Sequence, residues 1–163
     1  MNFKRVFIEK KEEFNTEAHI LYRDFKDYLN IKSLKKVRII NVYDIINSSE
    51  TEYDQIVKEI LWEKNLDYLY EETFPFKEDE KYFRVEFVPG QYNQREDSAK
   101  QCIALLLGKK DIEVKNSKIL VFDGIDEKEL NLIKDYYINP VEMREIAIDS
   151  FTYEEYEEAM GQI

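Results

Sequence analysis

The side chains able to do chemistry are few. His19 is the only histidine and Cys102 the only cysteine. A histidine that holds zinc or works as a base on a helix wants a second His or a carboxylate at i+4, and Arg23 stands there. His19 therefore reads as a partly exposed structural residue. Cys102 has Ala99, Ile103 and Leu106 at helical spacing around it and no histidine near it in sequence, so it reads as a small core residue, not a nucleophile. A single cysteine also excludes an internal disulfide and a cysteine-based zinc site. With 4 glycines in the chain there is no G-x-x-x-x-G-K-[ST] phosphate loop and no G-x-G-x-x-G turn. The acidic pairs Glu12-Glu13 and Glu71-Glu72 read as solvated surface.

Two corners depart from this blandness. In Val88 to Cys102, Pro89-Gly90 ends a strand in a tight turn, and Asn93 with Glu96 three residues on spells a capping box that starts a helix. Arg95 then falls in the first helical turn, where the macrodipole disfavours a cation by a few tenths of a kcal/mol. It needs compensation, either from Asp97 or a neighbouring carboxylate, or from an anion or partner surface docked there together with Gln91 and Gln94. The second corner is Ile138 to Glu145. Pro140 forces Asn139 out of helical geometry, after which Glu142 and Arg144 project from one side of a strand, as a surface ion pair or as a contact with another domain.

The elements that must hold these corners follow from periodicity. Arg5 to Glu9 alternates as a strand, with Val6 and Ile8 on one side and Phe7 on the other. Asn15 caps a helix with Ala18, Leu21, Phe25, Tyr28 and Leu29 on its stripe. Val37 to Ile46 is a β-branched strand, with Ile39, Asn41 and Tyr43 facing one way and Ile40, Val42 and Asp44 the other. Ser49 and Glu52 box the start of a helix with Tyr53, Ile56, Val57, Ile60 and Leu61 inward. Leu66 to Tyr70 is a third strand, and the charged stretch around Phe74-Pro75-Phe76 reads as a surface connection. The order then repeats: strand 82–88, helix 93–107, strand 118–122, helix 126–138, strand 141–148. Arg5-Val6 matches Arg84-Val85, Ile40 to Asp44 matches Ile119 to Asp123, and Ile56-Val57-Lys58 matches Ile133-Lys134. The expected fold is α+β, two β-α-β-α-β halves (about 1–73 and 81–148) with helices on one face of each sheet. Each half leaves the other face bare and must bury it against its twin as a pseudo-dimer.

Composition sets the outer bounds. A chain of 163 residues with 44 % hydrophobic content can bury a core, and only 3 prolines and 4 glycines interrupt it. A net charge of -11 repels phosphate backbones and anionic lipid, so neither nucleic acid nor a membrane is an expected partner. No signal-peptide apolar region and no run of about 20 apolar residues occurs. The expected compartment is the cytoplasm.

The two corners also carry a resemblance. P-G-Q-Y-N-Q-R-x-D-S-A-x-Q-C at Pro89 to Cys102, followed by I-N-P-V-E-x-R-E at Ile138 to Glu145, resembles the N-terminal region of the long form of phosphoribosylformylglycinamidine synthase. Arg5 to Lys11 and Val37 to Asp44 resemble it as well, so the likeness runs to about Ile148. The chain departs from the pattern at Asn93, where Asp is usual, at Val42, where a basic residue is common, and at Met143, where Ser is. The resemblance implies a domain like a fused dimer of the small PurS subunit, bridging the synthetase and glutaminase parts of an enzyme that aminates formylglycinamide ribonucleotide with ATP and glutamine. It implies that ATP, magnesium and the glutaminase machinery belong to other parts of that enzyme, so that this segment has no catalytic residue, metal or cofactor of its own. Gln91, Asn93, Gln94, Arg95, Asp97, Glu142 and Arg144 then become candidate contacts to those parts.

The tail 149–163 is acidic, with Tyr153, Tyr156 and Met160 at helical spacing, and reads as the start of a linker in a longer chain. The competing expectation is a free-standing regulatory or small-molecule-binding module, since repeated α+β halves also build ligand sites where two units meet.

Overall fold

Side chains on both faces of the central strands are apolar, so the sheet must be covered twice. The computed structural model describes residues 3–150; Tyr153, Tyr156 and Met160 of the expected linker start lie outside them. In chain order the elements are β1 (Phe3–Lys10), a 3-10 turn (Glu12–Phe14), α1 (Thr16–Asp27), β2 (Lys36–Ile46) and α2 (Glu50–Ile56), which runs on as a π turn (Val57–Leu61). There follow β3 (Asp67–Tyr70), β4 (Lys81–Phe87), α3 (Gln94–Leu107), β5 (Glu113–Asp123), α4 (Glu127–Tyr137) and β6 (Met143–Ile146). The fold is α+β, as its sequence predicts. All six strands form one antiparallel sheet in the order β3-β1-β2-β5-β4-β6.

That order is a palindrome if β4, β5 and β6 repeat β1, β2 and β3. The two halves meet edge to edge through β2 and β5, each 11 residues long and paired along their whole length. The bare faces are not pressed together. The helix starts repeat too: Asn15 and Asn93 cap α1 and α3, while Ser49-Glu52 and Asp126-Glu129 form capping boxes on α2 and α4. Residue matching is less direct. Ile40 is the fifth residue of β2 and Ser117 the fifth of β5, and Val42 takes the place that Ile119 takes. Cross-strand register likewise puts Arg5, opposite Asp44, in the place of Tyr82, opposite Val121. The matches of Ile40 with Ile119 and of Arg5 with Arg84 are therefore out of step, whereas Ile56 with Ile133 agrees. The slip preserves strand parity, which is why the faces were legible although the register was not.

On the helix face two cores form, and each takes parts from both halves. One joins Ala18 and Phe25 of α1 and Val37 and Ile39 of β2 to Phe83, Val85, Leu120, Phe122, Leu130 and Ile133 from the second half. The other joins Val6, Ile8, Tyr43 and Ile45, with Tyr53, Ile56 and Val57 above them, to Ala99 and Ile103 of α3. Tyr28, placed on the α1 stripe by spacing, is exposed at the helix end. Because α1 and α3 each cover strands of the other half, segments 1–73 and 81–148 expressed separately should each fail to melt cooperatively. Mixing them should restore a cooperative circular-dichroism transition. A cooperative melt from either segment alone would contradict this construction.

The opposite face holds Phe7, Ile40, Val42, Ile119 and Val121. Among the described residues no helix covers it; Phe74, from the β3–β4 connection, packs down on it as a plug, 5.6 Å from Phe7 and 5.9 Å from Tyr82 between ring centroids. The Phe74-Pro75-Phe76 stretch is thus part of the core cover and not merely a surface connection, because an aromatic ring is what the bare apolar face requires.

Candidate functional site

The first corner is built by three hydrogen-bonded devices. Gln91 N–H donates to Val88 O at 3.0 Å, closing a turn in which Gly90 takes a positive φ of 89°; a side chain there would be strained. Asn93 caps α3 by accepting from Glu96 N–H at 3.1 Å. The Glu96 carboxylate does not return to the cap as a capping box requires. It accepts from Asn116 N–H of β5 at 2.7 Å, while Asn93 Nδ2 donates to Asn116 Oδ1 at 3.3 Å and Asn116 Nδ2 donates to Val42 O at 3.2 Å. This amide chain ties the start of α3 to β5 and β2. Asn93, buried within it, positions the corner.

Burial raises the Glu96 carboxyl above its ordinary value of 4.5, with the Asn116 amide and nearby lysines opposing. A carboxyl raised by folding adds stability in full below its unfolded value, and that share is lost as pH rises through the folded value. Glu96→Gln keeps an acceptor for Asn116. The variant should therefore gain on the wild type as pH rises from the acid side of 4.5 to neutrality. Paired urea melts across that range check it, and a constant difference would mean that Glu96 ionises as freely folded as unfolded.

Asp97 is not the counter-ion of Arg95. It accepts from Tyr92 Oη at 3.1 Å and from Gln101 Nε2 at 2.9 Å. None of the ion pairs among the described residues includes Arg95. Its exposed guanidinium faces the Tyr43 hydroxyl, which burial pushes up in pKa and Arg95 pulls partly back. Tyr43 forms the floor of a groove with Ile60 and Leu61 of the π turn on one side and Gln94, Arg95, Ser98 and Cys102 of α3 on the other. Cys102 is exposed, contrary to its reading as a core residue; Ala99 and Ile103 carry the buried stripe of α3 instead. His19 is exposed, as expected.

In the second corner Glu142 and Arg144 do not pair. Glu142 lies in the turn before β6, and its carbonyl accepts from Val88 N–H at 2.9 Å. Arg144 stands directly across from Glu86 and donates to it at 3.3 Å. The Val88–Glu142 bond brings the two corners side by side, with Tyr92 64 % and Val141 77 % exposed around them. Gln91, Gln94, Arg95 and Glu142 are exposed, Asp97 and Arg144 partly so.

Sequence reasoning missed the densest polar cluster, which lies on the other face. Arg5 donates to Asp44 through Nε at 2.6 Å and Nη2 at 3.0 Å. Arg84 Nη2 approaches the same carboxylate at 3.8 Å and its Nε donates to Ser117 Oγ at 2.9 Å. Both guanidiniums also grip the Ser150 carbonyl, at 2.7 and 2.6 Å, and Arg84 reaches Ala147 O at 3.3 Å. The cluster fastens the segment after β6 to the sheet. Its signal was present: Asp44 shares the apolar face of Ile40 and Val42, and Arg84 stands between Phe83 and Val85. Further along the same face Glu9 accepts from Arg38 twice at 2.8 Å and from Tyr70 Oη at 2.9 Å, and burial next to Glu9 raises the Tyr70 hydroxyl.

Among the described residues no three His, Cys, Asp or Glu side chains are placed to hold a metal ion, and no helix is long and apolar enough to cross a membrane. The chain matches no protein-family model and no curated protein sequence.

Proposed function

We propose that this chain is an architectural domain of a multidomain amidotransferase ligase, acting by contact and not by chemistry of its own. Within that class it is the N-terminal, PurS-like domain of a phosphoribosylformylglycinamidine synthase of the long form, a fused pair of PurS-like units that bridges synthetase and glutaminase parts and shapes ammonia transfer. The observation that carries this reading is the palindromic strand order, with each helix-side core drawn from both halves; a fused dimer of one small α+β unit would have this arrangement. The two adjoining corners, with Tyr92 and Val141 exposed beside Gln91 and Glu142, supply a surface of the mixed apolar and polar kind that docks another domain. Mixed with synthetase and glutaminase domains expressed as separate polypeptides, the chain should co-elute with them in size-exclusion chromatography. Tyr92→Ala with Val141→Ser should weaken that association. Elution of the chain alone at every concentration would contradict the reading.

A second reading has one observation in its favour. The groove beside Arg95 lies between the π turn of the first half and α3 of the second, where a sensor built from paired units would hold a small molecule.

A further inference from the structure

Helices that meet over a sheet ordinarily fill the space between them with apolar side chains. α3 does this at Ala99 and Ile103, yet toward the π turn it presents Gln94, Arg95, Ser98 and Cys102, while Leu105 is 88 % exposed on its outer side. Gln94 and Ser98 are one turn apart, as are Arg95 and Ser98, so amide, hydroxyl and guanidinium share one side of the helix. Tyr43, 6 % exposed, brings a fourth polar group to the groove floor from β2, and Ile60 and Leu61 form the apolar wall. In a chain of net charge -11, Arg95 has a hydroxyl opposite it where a carboxylate would be expected.

We propose that this groove is a binding site for an oxyanion, carboxylate or phosphate, borne by a small molecule whose apolar part lies on Ile60 and Leu61. The Arg95 fork takes two of the oxygens, which is the geometry guanidinium favours. Ser98 and Gln94 donate to the same group, and the Tyr43 hydroxyl lies in the groove facing the guanidinium. Because one wall comes from each half, the site exists only once the halves are joined. It stands apart from the synthase reading and survives if that reading fails.

Cys102 sits in the groove, is exposed and is the only cysteine, so its alkylation by iodoacetamide reports occupancy at a single position. Phenyl phosphate and 3-phenylpropionate serve as the two probes, with sodium chloride at matched ionic strength as the control. Alkylation should slow by the factor 1 + [L]/Kd with at least one probe and not with chloride. The probe that protects at lower concentration tells phosphate from carboxylate. Arg95→Met should raise the half-protecting concentration about tenfold or more, and Arg95→Lys should recover only part of the loss. Both variants should still melt cooperatively in the absence of probe, since Arg95 is exposed. Protection equal to that by chloride, or undiminished in Arg95→Met, would overturn the proposal.

Discussion

Asp44→Asn should lower the free energy of unfolding by about 3–5 kcal/mol, the loss that follows when one member of a buried ionic group is neutralised and its partners stay behind. The side chains of Arg84, Asp44 and Arg5 are 0, 1 and 16 % exposed, so water cannot replace the missing charge. Asparagine preserves the shape but leaves two guanidiniums facing an amide, with the carbonyls of Ala147 and Ser150 offering only partial charge. Against a usual total of roughly 5–15 kcal/mol this is a large share. Arg84→Met should cost less, because Asp44 keeps its two bonds to Arg5. The double variant should be more stable than Asp44→Asn alone, with a coupling of about 1–3 kcal/mol. Urea denaturation of the four proteins closes the cycle, and strict additivity would remove the cluster from the account.

The second large effect is expected at Phe74. Truncation to Ala should cost about 3 kcal/mol or more, in the range for a buried phenylalanine. Its ring is 4 % exposed and meets Phe7, Phe76 and Tyr82. Phe76→Ala, at a ring 47 % exposed in the same segment, should cost about 1 kcal/mol or less. Equal effects at the two positions would mean that the β3–β4 connection lies on the sheet without sealing it. The contrast matters for function because this connection and the segment after β6 are the described covers of the face on which no described helix lies.

What the sequence disclosed and what it hid follow from the range of the interactions involved. Ser49 with Glu52 and the alternation of β2 depend on neighbours within a turn or a strand, and both were legible. Glu96 looked like the second half of a capping box, but the Asn116 amide, distant in sequence, captured its carboxylate. The start of β5 at Glu113 was lost because Val114 alternates with Asn116 and Lys118, a polar pattern until Tyr43 and Asn93 are seen to adjoin it. Sequence spacing puts Arg144 and Glu142 on one strand, whereas the strand begins at Met143 and the cross-strand neighbour of Arg144 is Glu86. Gly124 gave no signal: its φ of +94° and a built Cβ 2.4 Å from Ser33 O show that only glycine fits beside the loop before β2. Of the candidate site, Gln91, Gln94, Arg95 and Glu142 are exposed, while Asn93 is buried in positioning the corner and Asp97 is engaged with Tyr92 and Gln101.

The proposed role in ammonia transfer is tested most directly by the ratio of glutamine hydrolysed to ribonucleotide amidinated, measured with this chain at the head of a complete synthase. If the domain couples the two centres, Tyr92→Ala with Val141→Ser should raise that ratio well above the wild-type value while amidination driven by free ammonia stays near wild type. A ratio unchanged by substitutions at both corners, with both activities intact, would contradict a bridging role.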